Sequence, residues 1–479
     1  MSIRHAIVRP SIGVALAALL LAAGPDPGKA QLTDPPPGLA PSDGLLTMAL
    51  TGDAIITRRL SPYAEPEFVS MIELIRSTDV AFTNLEMLFH DFEPYPMNSS
   101  GGTYMRGEPE LAKELVWAGF DLASMANNHT GDWGAEGMRL TKRYAEEAGL
   151  VTAGAGENLW EAREARFFES ADGRIALISV ASTFTDHSVA GPSRGGVRGR
   201  PGLSPLRHER WEVVTREQLE SLRAGLQGAD IRVPDEGDGF SVFGRRFEVG
   251  PEPGGRSEPD DEDLAEIAAV VGSASRLADY TIVTIHAHES GGSRSEPAEF
   301  LVTFARAMID AGADVMVGHG PHVLRGIEIY QGKPILYSLG DFMFQNETLL
   351  RLPEENYGSY DLPGDAHVAD FNASRYRNET RGFPTQREIW ESVVAVPVWR
   401  AGELQEMRLY PITLGFGEPA PVRGRPMFAG RELAAKILND LVERSAPFGT
   451  RIEVRNGVGI IRPARTDDGE GSGGPGAGR

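Results

Sequence analysis

Short apolar runs recur along the chain, and stretches of helical periodicity separate several of them. Leu46–Thr51, Val80–Asn84, Leu122–Met125, Ile175–Ala181, Tyr280–Ile285 and Val315–Val317 are rich in β-branched and large apolar residues and predict strands. Helices are predicted over Leu111–Ala118, with Pro109 near its start and Gly119 after its end, and from an Asp132 N-cap to Gly149. A third is predicted over Pro297–Ala311, where Leu301, Phe304 and Met308 share a face and Gly312 stops the pattern. Phe167–Glu169 turns at Asp172-Gly173 into Ile175–Ala181 as a hairpin, and Gly326–Tyr330 turns at Gln331-Gly332-Lys333 into Pro334–Leu339 as another. Ser392–Val398 and Met407–Ile412 add late strands. Strands alternating with helices predict a layered α/β domain.

Other segments break this rhythm. Residues 187–262 read as a long surface insertion within a domain spanning 45–345, and 346–385 as a second insertion, at the start of a C-terminal extension over 346–464 that packs on the same domain. The Pro-rich stretch 31–44 predicts a disordered linker, and the Gly-rich, acidic stretch 465–479 a flexible tail. Residues 1–30 have the form of an export signal. Arg4, His5 and Arg9 precede the apolar run Ser11–Ala23, and Gly28 and Ala30 offer a cleavage site before Gln31. That run is shorter than the roughly 20 residues a membrane span needs. The expectation is a periplasmic or extracellular protein, membrane-associated if the signal stays uncleaved.

Composition narrows the chemistry. With 0 Cys, the chain has no disulfide, no thiolate metal site and no cysteine nucleophile. A formal net charge of −21 argues against nucleic acid as a partner.

The polar residues then fall at one kind of place, immediately after a strand. Asp53 follows the first strand, Asn84 and Glu86 end the second, and Asn127-Asn128-His129 follows the third. His286-Ala287-His288-Glu289 and His319-Gly320-Pro321-His322 follow two later ones. Singly, each has an ordinary explanation as a turn, cap or buried polar residue. Together, in a parallel sheet, they converge on the edge where α/β proteins bind ligands. A mixture of Asp, Glu, Asn and several His without Cys suits one or two divalent ions of Mn, Fe or Zn, which lower the pKa of bound water.

The segments ALTGDAII, DVAFTNLEMLF, GFDLASMANNHTGDWGAEGM, TAGAGENLWEA, TIVTIHAHES and GADVMVGHGPHVLRGIEIYQGKPILYSLGDFMF carry a resemblance. In this order they resemble the CapA-type poly-γ-glutamate capsule synthesis proteins, a branch related to the calcineurin-like metallophosphoesterases. The resemblance implies a four-layer α/β/β/α sandwich of the metallophosphoesterase type with surface insertions. It also implies Asp53, Glu86, Asn128, His286, His319 and His322 as metal ligands, Asn84 beside the metal, and His129 assisting the leaving group. The sequence departs from the wider pattern where Asp53 is followed by Ala54-Ile55 instead of Asp-x-His, which removes one expected ligand. It departs again at His286-Ala287-His288-Glu289, at Gly320 and at Asp341.

The resemblance implies a metal-dependent hydrolase or transferase acting on an anionic cell-envelope polymer such as poly-γ-glutamate. The alternatives are a non-catalytic scaffold for the polymer or for a membrane synthase and export complex, and a phosphoesterase. Within the insertion, Arg198, Arg200 and Arg207 are candidate contacts for an anionic polymer, against the simpler reading of a solvated loop.

Overall fold

The computed structural model describes residues 44–463. The expected signal (1–30), all of the linker but its last residue (31–44) and the tail (465–479) lie outside the described residues.

Two sheets form the centre. The first has ten strands, in the order Glu453–Arg455, Val458–Ile461, Glu403–Thr413, Glu391–Arg400, Leu45–Ile55, Val80–Asn84, Leu122–Ser124, Val151–Ala153. Asp341–Phe344 joins alongside Leu45–Ile55, and Met427–Phe428 alongside Glu403–Thr413. The second has six strands, in the order Ile327–Tyr330, Lys333–Leu336, Val315–His319, Tyr280–His286, Gly173–Ala181, Arg166–Ser170.

Successive side chains of a strand point to opposite faces, and here both faces are covered. Leu46, Met48, Leu50, Val80 and Phe82 of the first sheet pack with Ile175, Leu177, Ile282, Val315 and Val317 of the second. On the outer face of the first sheet, Ala49, Ala81 and Ala123 meet Phe68, Met71, Leu111, Leu115 and Met138 from three helices. On the outer face of the second, Ile178, Val180, Val283 and Met316 meet Ile267, Val271, Phe304 and Met308 from two more. The result is a layered α/β/β/α arrangement. Burial on both faces explains why the central strands read as continuous apolar runs and not as alternating ones.

The helix Leu111–Ala118 forms where its pattern places it and stops at Gly119, which takes φ 104°. The third predicted helix begins slightly later, at Glu299, and ends at Ala311. Asp132 is not the N-cap expected. The helix starts at Gly134 behind Trp133, with no side-chain cap. Asp132 instead accepts hydrogen bonds from the backbone of Gly101 and Met105, both at 2.9 Å, and so ties a distant strap to this turn.

Within 187–262, His208–Val214, Gly239–Val242, Arg245–Val249 and Gly254–Pro259 form a four-stranded sheet. With the helix Arg216–Gly228 it encloses a small core of Leu219, Val233 and Phe240. Within 346–385 lie the helix Val368–Arg375 and the turn Phe383–Thr385, and this second segment borders the site described next.

Candidate metal centre

Strand register brings the polar residues together. In the first sheet Asp53 pairs with Asn84 on one side and with Asp341 on the other, all on parallel strands. In the second sheet His286 pairs with His319. The approach of Asp341 depends on Gly52, because a Cβ there would lie 1.8 Å from the Gly340 carbonyl oxygen. Gly340 also accepts a hydrogen bond from the Asp53 N–H at 3.0 Å. Gly320, at φ 115°, donates its N–H to Asp53 Oδ2 at 2.9 Å. His322 holds a left-handed backbone at φ 57°, a strained conformation for a residue other than glycine.

Three overlapping groups of side chains result: Asp53, His286 and His319; Glu86, His288 and His322; and Asp53, Glu86, His322 and Asp341. In each, one ligand atom per residue lies within 4.8 Å of the others. Asp53 Oδ1 is 3.6 Å from His286 Nδ1 and 3.4 Å from His319 Nδ1. His286 Nε2 lies 2.9 Å from His288 Nε2, and His322 Nδ1 lies 2.8 Å from Asp341 Oδ1. His319 Nε2 meets the Thr284 hydroxyl at 2.6 Å, which leaves Nδ1 turned towards Asp53. Asp53, Glu86, His286, His319 and Asp341 are all fully buried.

The electrostatics of this cluster are strained. Burial, and then the charges of Asp53, Asp341 and Asp132, hold the Glu86 carboxyl well above the usual carboxylate range. Burial also pushes Asp341 up to about 6, although His322 opposes the shift. Burial would raise Asp53 too, yet its hydrogen bonds to His286 and His319 outweigh that and hold it well below the ordinary value. Burial lowers His286 to about 4, so its imidazole is neutral and available as a ligand near neutral pH. Burial, with His286 and His322 adding to it, also places His288 well below its ordinary value.

Several atoms have no partner. Both carboxylate oxygens of Glu86, Oδ2 of Asp341 and Oδ1 of Asn128 are buried without a hydrogen bond. Leaving such groups unsatisfied costs about 1–3 kcal/mol each, more when charged. Unpartnered carboxyl and amide oxygens beside imidazole nitrogens are a donor set that divalent Mn, Fe or Zn takes, so these buried groups are able to hold metal.

His129 stands next to the cluster. Its Nδ1 donates to Asp132 Oδ2 at 2.7 Å, which turns Nε2 towards Glu86 Oε1, 3.7 Å away. The Asn127 side chain helps to set this turn, because its Oδ1 accepts from the His129 N–H at 3.1 Å.

Of the residues singled out from the sequence, Asp53, Glu86, His286, His319 and His322 come together. Asn128 lies on the adjoining turn, its Nδ2 donating to the Gly101 carbonyl at 3.0 Å. Asn84 is turned onto Asp53, donating from Nδ2 to Oδ1 at 2.7 Å. Arg198, Arg200 and Arg207 are exposed. Arg200 donates to the Val189 carbonyl, and Arg207 lies 3.4 Å from Asp263, contacts outside the cluster. His288 and Asp341 had no assigned role in the sequence, and Asp132 was expected only as a helix cap. His288 had a signal, since residues i and i+2 at a strand end share a face with each other. Asp341 and Asp132 acquire their positions through strand pairing and long-range hydrogen bonds, which spacing alone does not show.

A sequence profile of the family described as "Bacterial capsule synthesis protein PGA_cap" matches residues 47–346, a span that includes every residue of the cluster. The chain is 40% identical over 432 residues to "Uncharacterized protein y4sH" of Sinorhizobium fredii, covering 87% of this chain and 93% of that one. It is 26% identical over 306 residues to "Capsule biosynthesis protein CapA" of Bacillus anthracis, covering 62% of this chain and 60% of that protein. To "PGA biosynthesis protein CapA" of Bacillus subtilis it is 26% identical over 309 residues, covering 63% of this chain and 64% of that protein.

Proposed function

The chain belongs to the family of bacterial capsule synthesis proteins, and from that premise we propose that it is an exported, metal-dependent hydrolase or transferase acting on an anionic cell-envelope polymer, with poly-γ-glutamate as the first candidate. The observation that carries this reading is Glu86: fully buried, unpartnered at both oxygens, and set among three other acids and four imidazoles. A site built only for stability would pair such a charge or replace it.

In this reading Asp53, Glu86, Asn128, His286, His319 and His322, joined by His288 and Asp341, hold one or two divalent ions. Bound divalent metal supplies Lewis acidity and lowers the pKa of water. The remaining roles belong to the chain. Asn84 fixes the Asp53 carboxylate through its 2.7 Å hydrogen bond. Asp132 fixes the His129 tautomer with the proton on Nδ1, so Nε2 is the atom that takes or gives a proton at the substrate. Gly101 and Gly102 close over this turn, where a Cβ at Gly101 would lie 2.4 Å from the Asn128 carbonyl oxygen, and His129 beneath is buried. Among the described residues no helix is long and apolar enough to cross a membrane, and export rests on the N-terminal signal pattern.

The test is product analysis. Purified chain reconstituted separately with Mn, Fe and Zn is incubated with poly-γ-glutamate, and chain lengths and new end groups are read by mass spectrometry. Cleavage or transfer that disappears in His129→Ala supports the proposal. Polymer binding and export that persist in His129→Ala without any cleavage favour the scaffold. Turnover of aryl phosphates alone points to a phosphoesterase.

A further inference from the structure

Two guanidiniums border the centre, and among the described residues neither forms an ion pair. Arg294 lies on the loop that follows His288. Arg325, itself fully buried, holds this loop by donating to the carbonyl of Glu289 at 2.7 Å and, from Nε, to that of Arg294 at 3.2 Å. Arg294 Nη1 donates to Gln386 Oε1 at 2.8 Å, so its head group is placed beside the Phe383–Thr385 turn. The Phe383 ring is 5.9 Å from the ring of His322. The charge of Arg294 reaches both His322 and Asp341.

Arg375 approaches the same ring. Its Cζ lies 5.6 Å from the Phe383 centroid and 5.2 Å from that of Tyr376. It also donates to the Thr103 hydroxyl, one residue beyond Gly102 on the strap over His129. Both arginines thus reach the segment that carries Phe383, Arg294 through Gln386 and Arg375 at the ring itself, one linked to the His288 end of the site and the other to the His129 end. Both hold neutral side-chain partners, which an incoming oxyanion can displace, because a charge-assisted hydrogen bond is the stronger one. Aromatic rings against Arg375 restrict its orientation, which suits planar, two-pronged recognition.

We infer that Arg294 and Arg375 form an oxyanion-binding pair that holds an anionic group of the substrate, a carboxylate or a phosphate, beside the metal centre. This inference rests on reading that centre as the place of reaction. It moves anion recognition away from Arg198, Arg200 and Arg207.

Isothermal titration of the metal-loaded full chain tests it, with three probes: a γ-linked glutamate hexamer, the same hexamer methyl-esterified at its α-carboxylates, and inorganic phosphate. Arg294→Gln and Arg375→Gln are expected to keep wild-type metal content. Each should bind the free-acid hexamer about 10- to 100-fold more weakly, while the ester binds wild type and variants alike. Arg375→Lys should recover part of the loss, since it keeps charge without the two-pronged geometry. If wild type binds phosphate but not the hexamer, and both variants lose phosphate, the pair stands and poly-γ-glutamate as substrate falls. Affinities unchanged within about twofold, loss of metal from either variant, or no binding of any probe by wild type would each overturn the pair.

Discussion

Replacing Glu86 with Gln should change stability in opposite directions depending on metal. Glu86 is fully buried, with no hydrogen bond to either oxygen and its nearest charged neighbours chiefly acids. Its carboxyl is held well above the ordinary range by burial and by Asp53, Asp341 and Asp132. A raised folded-state pKa means that this group's contribution to stability is fully present below the unfolded pKa and is lost as pH rises through the folded one. Near neutral pH, metal-free protein therefore bears a cost that an amide, which cannot ionise, does not. The amide still has unpartnered polar atoms, but it sheds the charge, and a buried charged group costs more to leave unsatisfied than a neutral one; at on the order of 1 kcal/mol, metal-free Glu86→Gln should melt higher than metal-free wild type by a few degrees. With metal the order reverses. Ligand at about 1,000 times its Kd stabilises the folded state by roughly 4 kcal/mol, and a neutral amide forfeits much of that affinity. Scanning calorimetry on chelator-treated and Mn- or Zn-loaded samples reads both arms. A variant less stable than wild type by the same amount in both conditions would refute the reasoning, because Glu86 would then be an ordinary packed residue.

Asn128→Ala should lower metal occupancy, whereas His129→Ala should keep it and slow turnover by about 10²–10⁴-fold; metal analysis beside an activity assay separates the two. His90, fully buried with its ring 4.6 Å from Trp133, is lowered to about 4 chiefly by burial. A depressed histidine contributes stability above the unfolded pKa that is lost as pH falls through the folded one. Wild type should therefore lose roughly 2–3 kcal/mol between the ordinary histidine pKa and about pH 4 that His90→Gln does not, as read by denaturant melts across pH. Arg325→Met removes a buried cation hydrogen-bonded to several backbone carbonyls and should cost on the order of 3 kcal/mol while weakening metal retention, because the His288 loop loses its anchor; calorimetry and metal analysis check both.

Much of the layered fold was legible because its central strands are buried on both faces and its helices end at glycines. The helix Pro66–Arg76 was not among the expected elements, although Phe68, Met71, Ile72 and Ile75 stand at helical spacing behind Pro66. The small sheet inside 187–262 was not legible. Its strands are half exposed and carry Arg245, Arg246, Glu248 and Arg256, so no two-residue apolar alternation marks them, and its core is only Leu219, Val233 and Phe240. Asp132 read as a cap because a short acid before a helix usually is one; its actual partners, Gly101 and Met105, sit about 30 residues upstream. The candidate ligands were visible as polar residues ending apolar runs. Asp341 gained its place only through register with Asp53, and Arg294 and Arg375 only through the way two loops fold over His322 and His129.

Everything proposed for this site depends on the buried acids and imidazoles holding divalent metal. Plasma mass spectrometry of the purified full chain, both as isolated and after reconstitution with Mn, Fe or Zn and gel filtration, tests it most directly. One or two equivalents per chain are expected in wild type, with a clear loss in Asp53→Ala and in His286→Ala. Wild-type protein that retains no stoichiometric metal after all three reconstitutions, or variants that retain as much as wild type, would contradict it.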